Sequence, residues 1–265
     1  MAEEEFRRKF VEKQLEAIGY DEKSNSKLPV LEMFKTIQGE GIFIGTPSVF
    51  VRFAVCNLAC VWCDTKYSWV AELLKNEKIK WYSVRELCLA VDDLAGGAIK
   101  NVVFTGGEPL LWWGRGLKDV VEMLGSAGYL IEIETNGTVM PKGCMDMPFL
   151  RFNVSFKLSN NVANKYEERI RKDVLKYFND VGETSSVFFD RVSWKIVIKN
   201  REDLKELNDI IDSLKLDRRH LVIMPEMTDA SKLSEYGWLV DWCVENGVRF
   251  ISRLHIELWG NKRER

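Results

Sequence analysis

The chain has 265 residues, of which 46% are hydrophobic, 29% charged and 11% aromatic, so it can bury one large core and is neither disordered nor of low complexity. Lys plus Arg number 38 against 40 Asp plus Glu, a formal charge of −2, which gives no global basic field of the kind a nucleic-acid-binding protein carries. The acidic start Met1-Ala2-Glu3-Glu4-Glu5 does not resemble a secretory signal, and no run approaches the ~18 apolar residues of a membrane helix.

A cytoplasmic chain with reduced thiols and no membrane or nucleic-acid partner is therefore expected, its six cysteines explained by metal, catalysis or burial and not by disulfides. In chain order, residues 5–18 predict an amphipathic helix with Phe6, Phe10, Val11, Leu15 and Ile18 on one side. The polar stretch 21–27 predicts a linker, so residues 1–28 form a helical extension and 29–265 the main domain. From there β-rich runs alternate with helical patterns. Strands are expected at 49–55, 101–104, 129–134, 149–156, 193–198, 220–224 and 249–255. Helical stripes lie between them: Val84, Leu87, Val91 and Leu94; Leu117, Val120 and Leu124; Leu204, Leu207, Ile211 and Leu214; and Leu233, Tyr236, Val240 and Val244. This alternation predicts an α/β fold with a parallel sheet, either a partial β/α barrel or a doubly wound sheet, with chemistry at the carboxyl ends of the strands.

At the end of the first such strand stands Cys56-Asn57-Leu58-Ala59-Cys60-Val61-Trp62-Cys63-Asp64-Thr65. Three thiolates on so short a loop can wrap one compact metal centre. One reading is a four-iron cluster with an iron left open for a small chelating molecule; the rival is zinc completed by Cys144, His220 or His255. Cys-x3-Cys-x2-Cys in this position resembles the signature of the radical S-adenosylmethionine superfamily. Thr105-Gly106-Gly107-Glu108-Pro109, again after a strand, resembles the segment that holds the amino group of that cofactor. Glu134-Thr135-Asn136-Gly137 and Ser155-Phe156-Lys157 end two further strands, the latter with Phe156 where the family pattern has proline.

Together with Gln38-Gly39-Glu40-Gly41, Arg52-Phe53, Met224-Pro225-Glu226 and the ending from Arg253 to Arg263, these segments resemble the 7-carboxy-7-deazaguanine synthase family over about residues 30–263. The resemblance implies a partial TIM-like barrel and conversion of 6-carboxy-5,6,7,8-tetrahydropterin to 7-carboxy-7-deazaguanine with loss of ammonia, on the route to queuosine and archaeosine. It implies a [4Fe-4S] cluster on Cys56, Cys60 and Cys63. S-adenosylmethionine would lie against Trp62, Cys63, Asp64, Gly107, Glu108, Ser155, Phe156, Lys157, Met224, Pro225, Glu226 and Met227. The pterin would meet Ile37, Gln38, Gly39, Glu40, Arg52, Thr105 and His255, and Thr65 would ligate a magnesium ion. An electron donor such as flavodoxin or ferredoxin and a homodimer are implied in the same way.

Overall fold

The computed structural model describes residues 2–21, 26–161, 163–184 and 190–265, so most of the expected linker at 21–27 lies outside the described residues. Helix α1 (Ala2–Ala17) leads to the strands β1 (Leu28–Ile37) and β2 (Pro47–Phe53). After the cysteine loop come α2 (Ala71–Leu74), β3 (Lys80–Tyr82), α3 (Val84–Ala95), β4 (Asn101–Gly106), α4 (Leu117–Ser126), β5 (Leu130–Thr135) and β6 (Leu150–Val154). The rest is α5 (Tyr166–Arg169), α6 (Lys172–Glu183), β7 (Val192–Ile198), α7 (Arg201–Leu214), β8 (Leu221–Pro225), α8 (Gly237–Asn246), β9 (Arg249–Phe250) and α9 (Leu254–Trp259).

The nine strands form one sheet in the order β3-β1-β2-β4-β5-β6-β7-β8-β9. From β2 to β9 every neighbouring pair runs parallel, while β1 lies antiparallel to both β2 and β3. Strand order follows chain order from β4 to β9 and never doubles back, which excludes the doubly wound rival. Among the described residues no pair joins β3 to β9, so the barrel is partial. β6 and β7 are buried at every position although they carry Arg151, Asn153, Ser193 and Lys195 among their apolar residues.

Helix boundaries follow local chemistry. A capping box between Ser83 and Glu86 starts α3 and left-handed Gly96 ends it, and Asn200 with Asp203 starts α7 in the same way. Two expected elements differ. The stripe through Val240 and Val244 is not the inward face of α8: Val244 is 76% exposed, whereas Leu239 and Cys243 are buried. Residues Ala230–Tyr236 form a 3-10 helix, whose shorter period carries the pattern out of register before α8 begins. The strand expected at 249–255 stops at Phe250, because Arg253 turns inward to pair with Glu40 and Asp64. Strands β1 and β3 and helix α6 were not anticipated. Helix α1 is docked and not free: Ile18 is buried, and Val11 and Leu15 pack on the core. Among the described residues no helix is long and apolar enough to cross a membrane.

Candidate active site

At the carboxyl ends of the parallel strands lies a cavity of about 320 Å³. Its rim begins with the cysteine loop after β2. There Val55 holds φ +80°, a left-handed conformation costly for a β-branched residue, which turns the chain sharply out of the sheet. Two glycines make that turn possible from the neighbouring strand. A Cβ on Gly106 would stand 2.2 Å from the Phe53 carbonyl oxygen, and one on Gly107 would stand 2.1 Å from that of Val55. Gly107 N donates to Phe53 O at 3.0 Å and Glu108 N to Val55 O at 2.9 Å, so the Gly-Gly-Glu segment is stitched to the base of the loop.

Cys56, Cys60 and Cys63 all line the cavity, the first two buried. Each sulfur has an N–H nearby: Leu58 N at 3.5 Å from Cys56, Asn161 Nδ2 at 3.1 Å from Cys60 and Trp69 Nε1 at 3.3 Å from Cys63. Such donors suit thiolates bound to a metal cluster. Burial pushes the Cys60 thiol up to about 11 and Cys56 well above its usual range, so both are thiols until a metal displaces the proton. Among the described residues no three His, Cys, Asp or Glu side chains converge on a single-ion site. Cys144 sits by Tyr177 Oη at 3.5 Å, and His220 lies between Asp190 and Asp217; neither lines the cavity. The three sulfurs thus fit a four-iron cluster in which three irons would each take one thiolate and the fourth would stay open, and the zinc set loses two of its completing candidates.

Next to the cysteines, Trp62, Asp64, Gly107, Ser155, Lys157 and the stretch from Met224 to Met227 also line the cavity. Lys157 Nζ donates to Ser155 Oγ at 2.9 Å and lies 5.2 Å from the Trp62 ring centre. Two residues expected here are placed otherwise. The Phe156 side chain alternates inward against Trp194, away from Ser155 and Lys157 on either side of it. Glu108 is fully buried and does not line the cavity: its carboxylate accepts from Leu110 N at 3.0 Å, Thr135 Oγ1 at 2.8 Å and Asn136 N at 2.7 Å. Burial pushes it up to about 7 despite those donors. It ties the end of β4 to that of β5 and leaves Gly106 and Gly107 as the Gly-Gly-Glu segment's face to the cavity.

Ile37, Gln38, Gly39, Glu40, Arg52, Thr105 and His255 line the cavity as well. Gln38 spends its amide below the floor, donating to Glu132 Oε1 at 2.6 Å and accepting from Glu40 N at 3.2 Å. Thr105 Oγ1 donates to Glu134 Oε2 at 2.8 Å. Arg52 donates from Nε to Glu32 Oε2 at 2.8 Å. Glu40 sits between two cations: Lys195 Nζ donates to its Oε2, and Arg253 Nε to its Oε1 at 2.7 Å. Burial opposes its charge, but Lys195, Arg253 and His255 outweigh burial and hold the carboxylate well below its usual range. Arg253 also reaches Asp64, joining Glu40 to the cysteine loop.

Lys195, Arg253, Glu134 and Asn136 line the cavity without having been assigned a role from sequence. The one available signal for Lys195 is a lone cation inside a strand otherwise apolar but for Ser193. His255 packs flat on the chain at Gly39, where a Cβ would stand 2.1 Å from its Nδ1. Replacing Gly39 by Ala is therefore expected to expel the imidazole and raise KM for the substrate about tenfold while iron content stays normal; an unchanged KM shows that His255 does not contact substrate.

A family model of the Radical SAM superfamily matches residues 50–214, from β2 through α7. The fold and the three-cysteine strand end together define a radical S-adenosylmethionine protein, a class that takes a four-iron cluster and S-adenosylmethionine. The 7-carboxy-7-deazaguanine synthase of Pyrobaculum aerophilum is 33% identical over 241 residues, covering 89% of this chain and 97% of its own. That of Bacillus subtilis is 30% identical, with 89% and 98% covered. The crystal structure of QueE from Escherichia coli matches with a TM-score of 0.65 at 27% identity, covering 88% of this chain and 96% of that one. Streptococcus suis SuiB bound to S-adenosylmethionine, at 15% identity and a TM-score of 0.53, shares the fold. The chain belongs to the 7-carboxy-7-deazaguanine synthase family.

Proposed function

We propose that this protein converts 6-carboxy-5,6,7,8-tetrahydropterin to 7-carboxy-7-deazaguanine with loss of ammonia. The observation that carries the reading is one cavity lined by two chemically different sets of residues. One set is Cys56, Cys60, Cys63, Gly107, Ser155 and Lys157; the other is Arg52, Thr105, Glu40 and His255. When bound, the cluster and S-adenosylmethionine supply one-electron chemistry and hydrogen abstraction. The rest falls to the chain's own side chains. Arg52 offers its planar fork to the substrate carboxylate, and Thr105 and His255 hold the ring against the lip formed at Gly39. Lys157 and Ser155 meet the polar end of S-adenosylmethionine. The Lys195–Glu40–Arg253 chain fixes the Glu40 side of the cavity, so the substrate is oriented before chemistry begins. An electron donor such as flavodoxin or ferredoxin, a cytoplasmic setting and a homodimer accompany this reading by resemblance.

Arg52→Lys keeps the charge and loses the fork. We expect the pterin to bind about 10- to 100-fold more weakly, the effect of one charge-assisted hydrogen bond in a buried site, with cluster assembly unchanged. Unaltered pterin affinity removes Arg52 from the carboxylate. Thr65 begins a 3-10 turn but its hydroxyl makes no cap; it lies 3.5 Å from Cys63 Sγ and lines the cavity. A lone hydroxyl suits a magnesium ion that draws its remaining oxygens from substrate and water. Thr65→Val is expected to retain the cluster and lose most of any magnesium stimulation of turnover; full stimulation takes Thr65 off the metal. The direct test of the whole reading is product formation from carboxytetrahydropterin under strictly anaerobic conditions.

A further inference from the structure

We propose that Gln14 of the N-terminal helix is a positioning residue for the first cysteine of the cluster loop, an inference that rests on the reading of that loop as a four-iron site. The side chain is 1% exposed, although it is polar and belongs to a helix whose apolar positions alone would explain its docking. Its amide meets the Cys56 backbone reciprocally. Gln14 Nε2 donates to Cys56 O at 2.9 Å, and Cys56 N donates to Gln14 Oε1 at 2.9 Å. A primary amide used in this way does for one residue what a neighbouring strand does in a sheet, filling both backbone polar groups where the chain has left β2.

The place matters because the preceding residue is the strained Val55. Such a conformation persists only where its surroundings hold it on every side. Val55 N donates to Ser68 O at 2.8 Å, Val55 O accepts from Glu108 N at 2.9 Å, and Gln14 secures the next residue. One turn earlier on α1, the Phe10 ring lies 5.8 Å from Trp69, whose indole N–H points to Cys63 Sγ at 3.3 Å. The same helix therefore braces both ends of the Cys56–Cys63 loop. Beyond its end, Tyr20 packs edge-on against Trp112 at 5.7 Å, and Trp112 Nε1 donates to Ala54 O at 3.0 Å, just before Val55. Helix α1 is thus built into the cluster site. Its purpose there is to present the Cys56 sulfur in place before iron arrives and to keep it there afterwards.

The test uses the full chain, reconstituted anaerobically with iron and sulfide. Gln14→Met keeps the length of the side chain and removes both hydrogen bonds. Iron loss to a strong chelator is followed alongside the electron paramagnetic resonance spectrum of the reduced cluster and the melting temperature of the cluster-free protein. Gln14→Met is expected to lose iron about tenfold faster than wild type, as for roughly one net hydrogen bond, with a broadened spectrum. Leu207→Ala, a buried cavity variant on α7, controls for general destabilisation and is expected to keep wild-type iron loss and spectrum. Equal rates and spectra for wild type and Gln14→Met overturn the proposal. So does iron loss from Leu207→Ala as fast as from Gln14→Met, since the effect is then global stability. A wild-type protein that takes up no four-iron cluster overturns both the proposal and the reading beneath it.

Discussion

Replacing Cys56 by Ala is expected to give a folded protein with no iron–sulfur absorbance and no turnover. Two remaining thiolates cannot hold a four-iron cluster that must keep one iron open for its cofactor. The fold should survive because the sulfur is not what holds the loop. Its neighbours there are Leu58 N at 3.5 Å and Asn136 Nδ2 at 3.9 Å, whereas the backbone is held through Gln14, Ser68 and Glu108. Deleting one buried sulfur costs on the order of 1 kcal/mol, a few degrees of melting temperature in a chain this long. Turnover above a few per cent of wild type would take Cys56 out of the cluster. Collapse of the fold would mean that the cysteine is itself a structural element.

Lys195→Met is expected to produce the largest loss of stability in the site. The lysine and Glu40 are both buried, and removing one partner of a buried ion pair leaves the other charge poorly compensated, at a cost of about 3–5 kcal/mol. In a chain of this length that lowers the melting temperature by roughly 10 °C. Glu40 retains Arg253 and, at 3.9 Å, His255, which keeps the cost from rising further. The sign of the pH dependence follows from the depressed pKa of Glu40. Its ionised form contributes stability above the ordinary carboxylate range, near pH 4.3, and that contribution is lost as pH falls through the folded value. The deficit of the variant should therefore be widest near neutrality and narrow in acid. A melting temperature equal to wild type at pH 7 would show that the pair does not hold the wall of the cavity.

Much of the fold was legible because its repeating unit writes itself twice, once in β-rich runs and once in helical stripes. The cysteine loop and the Gly-Gly-Glu segment were legible because each sits at a strand end, where backbone turns demand residues of particular kinds. Gly106 and Gly107 show the limit of that reading. Both line the cavity, yet what most closely crowds them is the backbone of Phe53 and Val55. Strand β1, facing β2 and β3 at an edge of the parallel array, is only partly buried toward its end and lacks a clean alternation. Glu108 could be placed at the site, but which way its carboxylate turned depended on Thr135 and Asn136 arriving from another strand. Lys195 and Gln14 escaped for a shared reason. Both are polar groups on buried faces, satisfied by partners more than 40 positions away in sequence, and a search for apolar periodicity passes over them.

The measurement that tests the account most directly is an anaerobic incubation of the reconstituted protein with 6-carboxy-5,6,7,8-tetrahydropterin, S-adenosylmethionine, a one-electron reductant and magnesium. The account predicts 7-carboxy-7-deazaguanine and ammonia in equal amounts, with S-adenosylmethionine regenerated and not consumed. Accumulation of 5′-deoxyadenosine and methionine with the pterin untouched would contradict it, leaving a radical enzyme whose substrate is some other molecule.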